Sequence, residues 1–268
     1  MEPAATVPRV GDLPEHVAEN RRHWDETADQ WVGAGERAWA SETPYWGIWG
    51  IPQADLPLLP DHLSGTTAID LGCGTGYVSA WMRRRGAQVY ALDNSGQQLA
   101  TARRLAVEHE LDDIEWVHGS AEEVPQPDES FDLAVSEYGA AIWCDPYVWI
   151  PEAHRLLRPG GDLIFLGHHP IMQMCIAPAG DTPVGERLEQ PYFDLYKTDW
   201  TEALEDPGGM EFNLPISKWI RLFHDTGFDV VDYWEVQAPA EADGTEFWVP
   251  SEWAQRWPSE QVWSLRRR

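Results

Sequence analysis

The sequence predicts an α/β fold built on a doubly wound, mainly parallel sheet, and three observations carry that prediction. From Thr67 onward, short apolar runs alternate with stretches of helical period, as expected for strands covered on both faces by crossover helices. The first run, residues 67–71, breaks into Gly72-Cys73-Gly74-Thr75-Gly76 and continues from Tyr77 with apolar residues at helical spacing. The second run ends in an acid, Asp93, 23 residues after Asp70.

Taken in order, the elements are these. Residues up to about Leu13 read as a disordered leader. Residues 15–32 have helical composition, with Trp24 and Trp31 seven apart on one face. Residues 33–61 are rich in Gly, Pro and Trp and read as turns with one short helix. The alternation then gives strand 67–71, helix 77–85, strand 88–92, helix 95–109, strand 114–118, strand 131–135, helix 147–157 and strand 162–167. A segment interrupts it at residues 170–215, and insertions of that size in a compact domain usually serve as lids. Residues 217–226 form a helix closed by Gly227, and residues 228–236 and 260–265 are the last strands. This divides the chain into a leader and cap over residues 1–63 and a domain over residues 64–268. There is no internal repeat.

The strand–glycine loop–helix unit is a ligand site by construction. Glycines let backbone approach a ligand where a Cβ would collide, and the helix that follows turns its first N–H groups toward it. An acid at the end of the second strand accepts both hydroxyls of a ribose, so the ligand is a nucleoside. Charge narrows the choice. A carboxylate beside the loop repels a pyrophosphate, and Asp70 immediately precedes the glycines, whose order also departs from G-x-G-x-x-G. S-adenosylmethionine carries no phosphate but has an ammonium and a sulfonium, which an acidic loop suits.

Here the chain resembles the class I S-adenosylmethionine-dependent methyltransferases, whose first motif has the form of Ala68-Ile-Asp-Leu-Gly-Cys-Gly-Thr-Gly76. Further matches follow in order. Asp93-Asn94-Ser95 resembles the ribose segment, with Ser95 capping the next helix, and His118 to Pro125 resembles the adenine loop, with Ser120 where the family usually has Asp. Ser130 to Ser136 resembles the fourth strand, which sets Ser136 and Glu137 near the methionine end. Glu152 to Gly161 resembles the helix-turn before the fifth strand. The resemblance covers residues 64–167 by motif and 215–268 by pattern. It implies a Rossmann-like sheet of seven strands in the order 3-2-1-4-5-7-6, with the closing strand antiparallel. It also implies S-adenosyl-L-methionine as cofactor, held by Asp70, Gly72, Cys73, Gly74, Asp93, Asn94, Gln98, Ser120, Ala121, Glu122 and Ser136. Trp31 either lies over the methionine, as an N-terminal aromatic does in the family, or docks its helix on the core.

For the acceptor, position is the guide. Ligands bind outside the carboxyl ends of the strands in open α/β sheets, where His168 and His169 follow the fifth strand. Either is a candidate general base, since imidazole titrates in the right range, or else a loop cap. Tyr138 and Trp143 follow the fourth strand and Trp46 precedes the first, making them candidate walls of an aromatic acceptor pocket or ordinary packing residues. Trp248, Trp253, Trp257 and Trp263 read as packing around the last strands.

Composition bounds the rest. Nineteen basic against 45 acidic residues, a formal charge of −26, oppose nucleic acid and anionic membrane surfaces as partners. Three widely spaced cysteines form neither a disulfide framework nor a metal motif. No apolar run approaches a membrane span and no signal peptide is recognisable, so a cytoplasmic protein is expected. The expected activity is methyl transfer to a small, largely apolar or aromatic acceptor, with no metal. The alternatives are a non-methylating reaction that uses the same cofactor, or a non-catalytic binding domain.

Overall fold

Seven strands form the central sheet of the computed structural model, which describes residues 13–205 and 208–268. The expected leader, apart from its last residue, lies outside the described residues. In chain order the strands are β1 (Thr67–Leu71), β2 (Gln88–Asp93), β3 (Glu115–His118), β4 (Phe131–Glu137), β5 (Leu157–His168), β6 (Phe228–Val236) and β7 (Glu260–Arg267). Their spatial order is 3-2-1-4-5-7-6, with β7 antiparallel to both neighbours, as the resemblance implies.

The helices are α1 (Glu15–Glu26), α2 (Ala28–Ala40), α3 (Tyr77–Arg84), α4 (Gly96–Glu108), α5 (Ala140–Trp143), α6 (Pro146–Leu156), α7 (Pro170–Met174), α8 (Ile216–Thr226) and α9 (Ser251–Ala254). They build apolar layers on both faces of the sheet. One is anchored by Trp39, Trp46 and Trp81, the other by Trp149, Trp219 and Trp263, all essentially without solvent contact. A fully buried strand such as β1 (TAIDL) is apolar except where its acid has a partner inside. The partner of Asp70 is Ser79 of α3, whose hydroxyl donates to it at 2.6 Å.

The N-terminal region departs from the sequence expectation. Residues 15–32 are not one helix, and turns do not begin at residue 33. Two helices meet at Thr27, and α2 runs through Gly33 and Gly35 to Ala40. Glycine lowers helix propensity, but here packing decides. A Cβ on Gly35 would lie 2.7 Å from the Thr75 hydroxyl, so only glycine lets α2 press against the glycine loop. The indole N–H of Trp39 completes the clamp by donating to the Thr75 carbonyl at 2.7 Å. The N-terminal cap therefore holds the loop in place.

The inserted segment contains α7, a 3-10 turn at Tyr192–Asp194 and an antiparallel pair, Lys197–Asp199 with Met210–Phe212. A second excursion, residues 237–259, went unmarked in the sequence. Its two-residue turn places Phe247 and Trp248 at positive φ, 44° and 69°, and stacks Phe247 on Trp31 at 5.6 Å. Trp248 is partly exposed at that turn, Trp253 and Trp257 pack in a satellite core, and Trp263 enters the main core.

Ser136, at the end of β4, is fully buried. Its hydroxyl donates to the Leu71 carbonyl at 2.7 Å and accepts from the Ala141 amide at 3.2 Å, which ties β1, β4 and α5 together. Ser136→Ala leaves both groups unpaired in a dry site. A loss of about 1–3 kcal/mol is expected in urea unfolding. An unchanged midpoint would mean that these bonds do not hold the strand ends.

Candidate cofactor and acceptor site

The glycine loop is fastened to β2 by backbone and side chain together. The amides of Gly72 and Cys73 donate to the Leu92 carbonyl at 2.9 and 3.0 Å. One oxygen of Asp93 accepts from the Gly74 amide at 2.7 Å, and the other accepts from the Ser95 amide at 2.7 Å. Gly72 and Gly74 both have positive φ, +80° and +52°, but their surroundings differ. A Cβ on Gly72 would lie 2.6 Å from the Gly139 Cα, whereas one on Gly74 would meet nothing within 4 Å. Gly72 closes the joint between loop and strand end. Gly74 faces open space, the cradle a ligand needs.

Other residues expected to hold the cofactor lie at the start of α4 and in the loop after β3. Ser95 caps α4 by accepting from the Gln98 amide at 3.1 Å, and its hydroxyl donates to Asp25 of α1 at 2.6 Å. Asn94 is held to α1 twice. It accepts from Arg21 Nε at its carbonyl and side-chain oxygens, and donates to the Val17 carbonyl at 2.8 Å. Gln98 is buried, and its Oε1 has no hydrogen-bond partner. In the loop after β3, Ser120 accepts from the Glu122 amide at 3.2 Å, and Ala121 is buried. Glu122 meets His16 at 2.7 Å and accepts from the Asp145 amide at 2.7 Å. Cys73 is buried, and desolvation keeps its thiol protonated. Trp31 and Trp24 lie 5.3 Å apart, and Trp24 meets Trp143 edge-on at 5.1 Å, so these rings form one cluster.

The two histidines part company. The buried ring of His169 caps α7 by accepting from the Ile171 amide at Nδ1, which leaves Nε2 as the donor toward Glu235 at 3.1 Å. Burial lowers its pKa. His168 instead sets its ring edge-on to Tyr138 at 5.2 Å, with Nδ1 3.7 Å from a Glu211 carboxylate oxygen. Trp46 lines no open space. It is fully buried against Trp81, and its N–H donates to Gln53 at 2.9 Å.

The sequence places Glu137 near the methionine end, but not the acidic cluster that it forms with Glu260 and Glu211 around Tyr138. Glu137 accepts from the Gly47 amide at 2.8 Å and from the Tyr77 hydroxyl. Glu260 begins β7 and is fully buried. Its Oε1 accepts from the Tyr138 hydroxyl at 2.7 Å and the Ile48 amide at 3.0 Å, and its Oε2 has no partner. Tyr138 is held at a φ of +56°, a strained conformation for a bulky residue. Glu260 carries no sequence signal, since it sits about 120 residues from its hydroxyl partner in a strand read only by pattern. Among the described residues no group of three or more His, Cys, Asp or Glu is placed to hold a metal ion.

Desolvation dominates the electrostatics of the whole site. It pushes Asp70 up to about 7 against the Ser79 hydrogen bond, and Asp93 up to about 6 against its two amide donors. It also raises Glu137, and it pushes Glu260 up to about 7 with help from the Glu137 charge. Burial drives the Tyr77 and Tyr138 phenols well above their usual range, so both remain donors.

Comparison with known proteins agrees with this geometry. Residues 69–165 match a family model described as a methyltransferase domain. The chain is 35% identical over 180 residues to a demethylmenaquinone methyltransferase of Listeria welshimeri, covering 63% of this chain and 72% of that one. It is 39% identical over 111 residues to a malonyl-[acyl-carrier protein] O-methyltransferase of Pectobacterium atrosepticum, 41% of each chain. The first curated relatives it matches are spanned only to 41%, 38% and 37% of their length. Among solved structures, an S-adenosylmethionine-dependent methyltransferase from Mesorhizobium loti superposes with a TM-score of 0.64 at 25% identity, over 79% of this chain and 95% of that one. The chain belongs to the class I S-adenosylmethionine-dependent methyltransferase family.

The buried carboxylates generate a prediction that needs no ligand. Glu260 has its pKa raised from 4.5 to about 7 in the folded protein. The ionised form is the one disfavoured, so stability is complete below the ordinary carboxylate range and falls as pH rises through about 7. Glu260→Gln removes that loss. Its gain in melting temperature over the parent is expected to grow between about pH 4.5 and 7 and then stay level. A gain independent of pH, or a loss at pH 8, would contradict the burial of an ionisable group there.

Proposed function

We propose that the chain transfers a methyl group from S-adenosyl-L-methionine to a small, largely apolar or aromatic acceptor. The observation that carries the reading is the open cradle at Gly74, bounded by Asp93, together with the buried Gln98 of α4, whose Oε1 is unpartnered. Those groups fit a nucleoside, since Asp93 accepts hydroxyls and Gln98 retains a free acceptor. Ser120 and Ala121 would line the adenine, and the Asp70 strand end would face the methionine. The cofactor, when bound, supplies an electrophilic methyl group on a sulfonium.

The chain's own residues supply position, dryness and proton handling. Methyl transfer is an in-line displacement, so its main demand is alignment of the attacking atom with the methyl carbon. Alignment falls to the rigid joint of loop, Asp93 and the α1–α2 clamp. Water exclusion falls to the Trp24, Trp31 and Trp143 cluster, the 170–215 segment as a lid, and the Phe247 turn that stacks on Trp31. His168 is the candidate base for a hydroxyl or amine acceptor because it faces the cluster at Tyr138, whereas His169 is committed to capping α7. The formal charge of −26 supports a small acceptor over nucleic acid. Among the described residues no helix is long and apolar enough to cross a membrane.

Calorimetric titration with S-adenosylhomocysteine tests the reading. Asp93→Ala is expected to weaken binding at least about tenfold, because each lost buried hydrogen bond costs about 1–3 kcal/mol. Tight binding of NAD with no response to S-adenosylhomocysteine would overturn it.

A further inference from the structure

We propose that the buried carboxylate cluster where the ends of β4 and β5 meet the start of β7 holds a protonated nitrogen of the methyl acceptor, with Glu260 as its ion-pair partner. The proposal rests on the methyl-transfer reading and adds the chemical class of the acceptor.

The first observation is an unmet need inside the protein. Glu260 is fully buried, Tyr138 and Ile48 occupy its Oε1, and its Oε2 has no partner. An ionised carboxylate has about four acceptor positions, and removing it from water without a positive partner is expensive. A second carboxylate makes the need greater. Glu137 hangs from the neighbouring Gly47 amide, and its charge adds to the field at Glu260. Neither acid has an ion pair with a lysine or arginine among the described residues, and the one cationic side chain acting on Glu260 is His168, its cross-strand neighbour, which sits without a hydrogen bond to it.

The second observation is what the surrounding groups already do. The Tyr138 hydroxyl is spent on Glu260 and the Tyr77 hydroxyl on Glu137. His168 leans toward Glu211 at 3.7 Å. With His168 turned to Glu211, a donor that carries positive charge and reaches Glu260 Oε2 is the missing component. A neutral hydroxyl would fill one acceptor position but leave the charge, and an anionic acceptor would be repelled. The strained backbone of Tyr138 fits this account, since strain of that kind concentrates at ligand sites.

An ammonium could come from the acceptor or from the cofactor's own amino acid end. Sheet order favours the acceptor. From β1, where the glycine loop begins, β4 and β5 intervene before β7, a lateral distance of about 14 Å at the usual strand spacing. An ammonium held in this way has no lone pair with which to attack a methyl carbon. It anchors the acceptor and leaves the attacking atom elsewhere in the molecule.

The test compares matched pairs on the full chain loaded with S-adenosylhomocysteine at pH 7.5. Phenethylamine is set against phenethyl alcohol, and tryptamine against tryptophol, by calorimetry. Each amine is expected to bind at least about tenfold tighter than its alcohol, the scale of one buried charge pair. Glu260→Gln is expected to bring that ratio within about twofold while leaving the S-adenosylhomocysteine affinity unchanged. Glu137→Gln should lower the ratio in the same direction, which keeps the test decisive if Glu260→Gln fails to fold. Equal binding of amines and alcohols, no amine binding at millimolar concentration, or a preference that survives both substitutions would overturn the proposal. A parallel loss of S-adenosylhomocysteine affinity would assign the nitrogen to the cofactor and overturn it equally. Failure of S-adenosylhomocysteine to bind the parent protein would instead count against the methyl-transfer reading, because the amine-to-alcohol ratio is measurable without it.

Discussion

The bond from the Gly74 amide to Asp93 is the constraint on which the site depends, because it makes the loop and the second strand one rigid object. Asp93 is nearly buried and also braces the Ser95 amide, so its carboxylate sets the start of α4 as well as the loop. The N-terminal helices then lock this object from outside. Asp25 of α1 accepts from both the Ser95 hydroxyl and the Gln97 amide, an acid at the positive end of a helix. Trp39 and Gly35 of α2 hold Thr75. A site built this way needs little reorganisation to receive a nucleoside.

The same strand ends collect acids that the fold does not neutralise. Asp70, Asp93, Glu137 and Glu260 are all raised by desolvation, so each opposes stability near neutral pH. Structural ion pairs would show the opposite sign. Buried acids with raised pKa values gathered along one edge of a sheet are the mark of a site that expects positive charge from outside. A cofactor with a sulfonium and an ammonium brings such charge to the β1–β2 side. The proposed amine acceptor would bring it to the β7 side.

Much of the fold was legible because its signals are local. Apolar runs bounded by turn residues identify β1, β2 and β4, and Gly227 at +107° ends α8 where the glycine rule puts it. The resemblance of the glycine loop, Asp93 and the later motifs supplied the strand order. The α1–α2 cap was misread because Gly33 and Gly35 look like turn residues, and contact with Thr75, invisible in sequence, overrides their propensity. The Phe247–Trp248 turn was hidden for a related reason, since two bulky aromatics stand where glycine or asparagine is the expected sign. Within the site, motif residues could be named one by one. Glu260 and Glu211 could not, because only the tertiary fold brings a late strand and an inserted segment to Tyr138 and His168. Ser136 shows the limit of motif transfer: its place at the end of β4 is as implied, but its hydroxyl is engaged in joining strands.

Proton release on ligand binding tests the central claim most directly, that buried carboxylates at the strand ends await a cation. Calorimetry with S-adenosylhomocysteine at pH 6.5, run in phosphate and in Tris, separates the heat of binding from the heat of buffer protonation. Asp70, pushed up to about 7, and Asp93, pushed up to about 6, are partly protonated at that pH, and an ammonium at the Asp70 strand end and ribose hydroxyls donating to Asp93 both favour the ionised forms. Binding is therefore predicted to release protons to the buffer, with the release fading by pH 8.5. Proton uptake, or heats that are the same in both buffers at pH 6.5, would contradict the account.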